Sequence, residues 1–257
     1  MQDLIGHESM VERVKGKVAV VTGASRGIGF AVSKVFTFSG MKVYMASRNK
    51  DRLEEAAREI RGVSNLKGYP EAVQADVSDE SDVKRLFYKI SQEEGRLDVL
   101  VNNAGTGVFK PFLETKLQDL QKVFKVNVQG VFLCCKEAFK LMMNLGGGCI
   151  VNVGSIVSLR GYPNQSVYAA SKHALLGLTK VLAEEGKAYN IRVMAICPGG
   201  VRTDLARKLL TIRPDLKPEV LMDPEDVANT ILYMIAFSDK ASIDNIVIRR
   251  RASSPYF

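Results

Sequence analysis

The sequence predicts an α/β fold, a doubly wound parallel sheet of about seven strands with helices on both faces. Three observations support this. Short β-branched runs alternate with helix-forming stretches in the pattern βαβαβαβαβαβαβ. The strand runs are almost continuously apolar, as strands covered on both faces must be. A glycine-rich turn joins the first strand to the first helix.

That turn is Gly23-Ala-Ser-Arg-Gly27-Ile-Gly29, between the strand 17–22 and an apolar helix reaching about residue 38. Glycines let the backbone bend tightly and approach a ligand, and the helix that follows offers free N–H groups and a positive dipole end to a diphosphate. The spacing is G-x-x-x-G-x-G, which differs from the commoner dinucleotide fingerprint and lacks the Gly-Lys-Ser/Thr ending of a P-loop. A second strand, 42–46, ends in Ser47-Arg48-Asn49. An acid at this place binds the ribose hydroxyls of NAD, whereas an arginine meets the 2′-phosphate of NADP. No acid stands there, so Arg48, helped by Arg26 in the turn, argues for NADP(H) over NAD(H).

Asn49 is placed to cap a helix over 51–61, and a strand over 71–75 ends in Asp76-Val77, where a carboxylate suits an adenine amino group. Ser78 then caps a helix to about residue 92. A buried strand over 97–101 runs into Asn102-Asn103-Ala104-Gly105, small and amide-bearing residues that suit a close backbone approach to a ligand or simply a turn. Thr115-Lys-Leu-Gln118 reads as a capping box opening a helix to about residue 144. Within it Asn127 lies among Val123, Phe124, Val126 and Val128. A buried amide needs partners, so Asn127 is either a satisfied core residue or the holder of a backbone kink and an ordered water.

The apolar run 149–153 reads as a strand that places Ser155 at a carboxyl end, where ligands of open α/β sheets bind. Tyr168-Ala-Ala-Ser-Lys172 follows, opening a helix over 166–189 that contains no proline. Residues four apart share a helix face, so Tyr168 and Lys172 are neighbours. A tyrosine titrating near its ordinary value of about 10 is a poor acid-base group at neutral pH, and an adjacent ammonium lowers that value. A strand over 191–196 precedes Cys197-Pro-Gly-Gly-Val-Arg-Thr203. Residues 211–222, rich in proline and charge, read as a mobile loop over a substrate. Asp223-Pro-Glu-Asp226 starts a helix to about 237, and 245–248 makes a last strand.

Of 257 residues, 46% are hydrophobic, enough for a substantial core, and the organisation reads as an extension over 1–14, one domain over 15–248 and a basic tail over 249–257. The longest apolar run, 231–237, is too short to span a bilayer, and the first residues lack the apolar centre of a signal peptide, so a soluble cytoplasmic protein is expected. The net charge of +8 is scattered among acids except at Arg249-Arg250-Arg251, which argues against nucleic acid and suits an anionic cofactor. Cys134, Cys135, Cys149 and Cys197 show no metal-ligand spacing and read as reduced core residues; no metal is expected. Ser155 lies outside G-x-S-x-G, which argues against a serine hydrolase.

Taken together, Thr22-Gly-Ala-Ser-Arg-Gly-Ile-Gly29, Asn102-Asn-Ala-Gly105, Asn127, Ser155, Tyr168-x-x-x-Lys172 and Pro198-Gly199 resemble the short-chain dehydrogenase/reductase (SDR) family, from Lys15 to about Ile248. The resemblance implies a Rossmann-type fold binding NAD(P)(H) and a catalytic tetrad of Asn127, Ser155, Tyr168 and Lys172. Tyr168 would protonate a carbonyl oxygen, Ser155 steady it, Lys172 hold the nicotinamide ribose and lower the tyrosine's pKa, and Asn127 keep a relay water. Gly23, Ser25, Gly27, Ile28 and Gly29 would face the diphosphate and ribose. Arg26 and Arg48 would face the 2′-phosphate, Asp76 and Val77 the adenine, and Ser47 would also be among the cofactor-binding residues. Asn103, Ala104 and Gly105 would lie along the adenosine side, and Pro198, Gly199, Val201 and Thr203 beside the nicotinamide.

Val108, Phe109, Ile156, Leu159 and Tyr162 are the expected lining of a largely apolar substrate pocket. The ending Ile246-Val-Ile-Arg-Arg250 replaces the Val-Asp-Gly-Gly of many 3-oxoacyl carrier-protein reductases and is more similar to 3-hydroxy acid dehydrogenases and sepiapterin-type reductases. The expected activity is NADPH-dependent reduction of a small carbonyl compound. The alternatives are a 3-hydroxy acid dehydrogenase, with Arg160 or Arg202 holding the carboxylate, a 3-oxoacyl carrier-protein reductase, and a catalytically silent dinucleotide sensor. Family members pair through the helices that hold Asn127 and Tyr168, which implies a homodimer or homotetramer, with Ala169, Ala170, Ala174 and Gly177 as small contact surfaces.

Overall fold

The computed structural model describes residues 7–210, 218–238 and 240–255. Seven strands, β1 (Val18–Thr22), β2 (Lys42–Ser47), β3 (Tyr69–Gln74), β4 (Val99–Asn102), β5 (Gly148–Val153), β6 (Ile191–Gly199) and β7 (Asn245–Arg249), form one sheet in the order β3-β2-β1-β4-β5-β6-β7. Every pairing is parallel. From β1 the order runs outward in both directions, so it reverses between β1 and β4. The crevice outside their carboxyl ends is where sheets of this kind bind ligands.

Alternation along each strand sends side chains to the two faces. Ala19 and Val21 of β1 join one core, with Val32 and Phe36 of α2 (Gly27–Phe38), Leu53 and Ile60 of α3 (Lys50–Arg61), and Ile231 and Met234 of α9 (Pro224–Ala236). Val18 and Val20 join the other core. There they meet Leu86 and Ile90 of α4 (Glu80–Glu94), Cys134 and Ala138 of α6 (Gly130–Met143), and Leu175 of α7 (Ser166–Gly186). Burying each of the Val, Leu, Ile, Phe and Met side chains among them contributes about 1.5–3 kcal/mol, and the two cores hold the sheet rigid beneath the crevice.

Several boundaries differ from the sequence reading for local reasons. Residues 7–14 of the expected extension form the helix α1 (His7–Val14), whose Val14 is fully buried in the first core. Asp79, not Ser78, caps α4, accepting from the N–H groups of Ser81 and Asp82, while Ser78 donates to Asp76. The capping box begins one residue later than expected: Asp119 accepts from the Lys116 N–H ahead of α5 (Leu117–Phe124), and Thr115 donates to the Pro111 carbonyl. The expected single helix to 144 is broken by a π turn over Lys125–Gln129 before α6. The long helix ends at Gly186 and tightens into a 3₁₀ turn to Tyr189. A short helix, α8 (Asp204–Leu210), was not expected. Its start is nonetheless written in Thr203-Asp204, a hydroxyl cap followed by a first-turn acid, and Ala206 N–H donates to Thr203 Oγ1 at 3.3 Å. Strand β7 takes in Arg249, the first residue of the expected tail. Of the loop expected over 211–222, residues 211–217 lie outside the described ones, and 218–220 form a 3₁₀ turn.

Candidate active site

The crevice is built from the carboxyl ends of β1, β4, β5 and β6. Gly23 and Gly27 take φ of +66° and +55°, the region glycine enters without strain. A Cβ on Gly29 would lie 2.4 Å from the Gly23 carbonyl and 2.5 Å from Asn103 Nδ2, so only glycine permits this turn. Asn103 braces it by donating from Nδ2 to Thr22 O at 2.9 Å and Gly23 O at 3.2 Å. Thr22 Oγ1 accepts from the N–H groups of Asn103 and Ala104 at 3.0 Å each. The Asn103 side chain therefore supports the turn itself. No side chain caps α2, whose N-cap is Arg26, and no acid stands in its first turn. Its free N–H groups and positive dipole end fit a diphosphate, the observation on which the expected dinucleotide rests.

At the outer end of β2 Ser47 is half-buried and Arg48 is exposed, 4.0 Å from Asp76 Oδ2. The other Asp76 oxygen accepts from Ser78 Oγ at 2.7 Å and Ser78 N at 2.9 Å. Val77 is buried, with its side chain against Gly130, which leaves only its backbone for an adenine. Ser25 and Ile28 are half-buried around the turn. Arg26 forms an ion pair with Asp204 of α8.

Beyond the turn lie the four residues expected to be catalytic. Asn127 occupies the π turn and is 1% exposed. Its Oδ1 accepts from Thr106 N at 2.8 Å, and its Nδ2 donates to Thr106 O at 2.9 Å and to Ser171 Oγ at 3.0 Å. The side chain is thus a fully used brace, and the π turn frees backbone carbonyls for other partners. Thr106 and Ser171 were not singled out in the sequence, because only folding brings them to Asn127. Ser155 ends the extended stretch after β5 and accepts from Val157 N at 3.3 Å, opening a 3₁₀ turn over Ile156–Ser158. Tyr168 and Lys172 lie one turn apart on the buried face of α7. Ser155 acts on the Tyr168 hydroxyl to lower its pKa, and Phe109 meets the tyrosine ring edge-on, with ring centroids 5.5 Å apart. Lys172 Nζ donates to Val153 O at 2.7 Å and stands 5.9 Å from the Tyr168 ring centre. It is also 3.8 Å from a Cβ built on Gly105, an ordinary packing distance that places the ammonium beside that glycine.

Burial governs the ionisation of this pair. It pushes Tyr168 up to about 12, against a smaller lowering by the Ser155 hydrogen bond, and brings Lys172 down to about 8. The sequence reading expected the ammonium to lower the tyrosine. Here desolvation prevails because both groups are walled off from water. Tyr168 accordingly carries its proton across the neutral range. Cys197 lies beneath the site, its thiol raised by burial, with the Ser158 hydroxyl and the Ser155 N–H opposing.

Pro198 and Gly199 close β6, and a Cβ on Gly199 would meet Ile156 at 3.2 Å. Val201 is buried and bridges to Met222, and Thr203 begins α8. On the open side Val108, Ile156 and Tyr162 are half-buried. Tyr162 lies under the Arg160 guanidinium, 4.9 Å from the ring centre. Leu159 is 37% exposed, at the edge. Leu205, unforeseen because α8 was, comes within 3.3 Å of a Cβ built on Gly107, next to Phe109. Arg202, one candidate for a substrate carboxylate, is paired with Asp223.

Comparison with known proteins places these features in context. The sequence model of a family described as short chain dehydrogenase matches residues 17–213. The chain is 38% identical over 242 residues to 3alpha-hydroxysteroid dehydrogenase of Mediterraneibacter gnavus (strain ATCC 29149), covering 91% of this chain and 94% of that one. It is 37% identical over 228 residues to carbonyl reductase family member 4 of Xenopus laevis, covering 85% and 91%. Among solved structures, an alcohol dehydrogenase from the archaeon Thermococcus sibiricus complexed with 5-hydroxy-NADP superposes with a TM-score of 0.82 at 26% identity, covering 94% of this chain and 99% of that one.

Proposed function

The chain belongs to the short-chain dehydrogenase/reductase family of oxidoreductases, and from that premise we propose that it reduces a small carbonyl compound in the cytoplasm with NADPH as the preferred cofactor. The observation that carries this reading is the buried cluster of Tyr168, Ser155, which acts to lower the tyrosine's pKa, and Lys172 one turn away. Bound at the glycine turn, a reduced nicotinamide dinucleotide supplies hydride. In this reading Tyr168, which holds its proton at neutral pH, gives it to the carbonyl oxygen. Ser155 donates a hydrogen bond to the same oxygen and fixes its position. Lys172 faces the ribose hydroxyls beside Gly105, and Asn127 keeps the π turn and α7 in register.

The preference for NADPH rests on the arginines at the turn and at the end of β2, where no acid is available for a ribose 2′-hydroxyl. The remaining cofactor contacts follow the chain. Gly23, Ser25, Gly27, Ile28 and Gly29 serve the diphosphate, Ser47 the 2′-phosphate with the arginines, and the backbone of Asp76 and Val77 the adenine. Pro198, Gly199, Val201 and Thr203 serve the nicotinamide. We assign the substrate mouth to Val108, Phe109, Ile156, Tyr162 and Leu205. We also read the outer face of α7 as a contact between copies, since Ala170 and Gly177 are exposed there beside a groove of about 550 Å³ lined by Phe124, Val128, Phe132 and Leu178.

The test is a titration of the purified protein with NADPH and with NADH, then turnover on a panel of ketones and aldehydes. Tighter NADPH binding with turnover supports the reading. Binding without turnover of any carbonyl, or of any alcohol in reverse, would make the chain a dinucleotide sensor.

A further inference from the structure

Helix α8 begins directly against the glycine turn. A Cβ on Gly27 would lie 3.2 Å from Thr203 Cγ2, so the two segments touch, and Asp204 on α8 pairs with Arg26 on the turn. Asp204 is shared, because Arg207 stands 3.4 Å from its other oxygen. The pair is solvent-exposed, 57% at Arg26 and 41% at Asp204. Arg48 is placed differently: Asp76 is 4.0 Å away, beyond a hydrogen bond, and is turned toward Ser78. Both arginines assigned to the 2′-phosphate face a carboxylate, but Arg26 is hydrogen-bonded to its partner whereas Arg48 makes only a longer ion pair.

We propose that Asp204 is a cofactor-discriminating residue, whose carboxylate holds the Arg26 guanidinium in a pair that an incoming 2′-phosphate must displace. This rests on the assignment of Arg26 to the 2′-phosphate made above. The exchange is physically easy. An exposed ion pair is weak, and a phosphate offers the guanidinium more charge and several acceptor oxygens in a matching fork. Asp204 is not stranded by it, since Arg207 remains. A dinucleotide without the 2′-phosphate has no reason to break the pair, so Asp204 penalises the phosphorylated cofactor alone. The residue therefore sets how wide the gap between the two cofactors is.

The experiment measures dissociation constants of NADP⁺ and NAD⁺, and of the fragments 2′,5′-ADP and 5′-AMP, for the wild-type protein, Asp204→Asn, Arg26→Gln and the double variant. Asp204→Asn is expected to tighten NADP⁺ and 2′,5′-ADP about threefold at low salt, to leave NAD⁺ and 5′-AMP unchanged, and to lose this effect in the Arg26→Gln background. Equal changes for both cofactors, or none for NADP⁺ while Arg26→Gln weakens it, would overturn the role of Asp204 and leave the assignment of Arg26 standing. No effect of Arg26→Gln on NADP⁺ would instead remove the assignment on which the proposal rests. Both side chains are at the surface, so the variants should fold, and melting curves check that they do.

Discussion

Asn127 Nδ2 donates to Ser171 Oγ at 3.0 Å, and the same hydroxyl donates onward to the Tyr168 carbonyl at 2.8 Å. The π turn and the first turn of α7 are thereby joined through buried atoms, since Ser171 is 0% exposed. Replacing Asn127 by Ala leaves the Thr106 N–H and carbonyl without their partner. Its expected cost is about 2–3 kcal/mol, read from urea denaturation, with a fall in turnover. Ser171→Ala removes both of these hydrogen bonds and is expected to cost about 1–2 kcal/mol. Equal midpoints for Asn127→Ala and wild type would contradict the brace.

Tyr168→Phe keeps the ring that Phe109 packs against and removes only the hydroxyl. Carbonyl reduction should fall by at least about 100-fold, while the affinity for the cofactor, followed by nicotinamide fluorescence, stays within about twofold. Retained turnover would exclude the tyrosine as the acid.

Lys172 provides a pH signature. With its pKa brought down to about 8 by burial, the ammonium is lost in the free enzyme as pH rises through that value, and kcat/KM for reduction should fall there. Lys172→Arg, whose charge does not titrate, should abolish that fall in the activity that remains. Stability behaves with the opposite sign. Between about pH 8 and the ordinary lysine value of 10.5, the unfolded chain keeps a proton that the folded one has released, so this residue's contribution to stability rises with pH. A profile flat beyond pH 9 would contradict the assignment.

Gly29→Ala forces a methyl onto the Gly23 carbonyl, 2.4 Å away, and onto the Asn103 amide. A loss of about 1–3 kcal/mol is expected, with weaker dinucleotide binding. Thermal melts with and without cofactor separate the two effects.

Gly177 has open space where a Cβ would stand. Gly177→Ala in this helix should stabilise the protomer by about 0.5–1 kcal/mol. Gly177→Arg should reduce the particle mass seen by light scattering if α7 pairs two copies. An unchanged oligomer would move the interface elsewhere.

The sequence by itself determined the succession of the seven strands and the main helices between them, the glycine turn, and the residues grouped around Tyr168, while the short helices α1 and α8 and the π turn escaped it. These depend on neighbours in the chain: apolar alternation, β-branching, caps, and the rule that residues four apart share a helix face. Residues such as Asp79 and Asp119 displaced caps expected one position earlier, because several polar side chains in a turn compete for the same N–H groups. Tertiary structure decided the rest. It set the reversal of strand order between β1 and β4, and it brought Thr106 and Ser171 to Asn127. It also joined Arg26 to Asp204 across 178 residues and buried Tyr168 and Lys172 deeply enough for desolvation to govern the ionisation of both. The reason is physical: local propensity depends on adjacent residues, whereas contacts between distant segments, and the removal of water from a titrating group, exist only once two faces of a sheet have been covered.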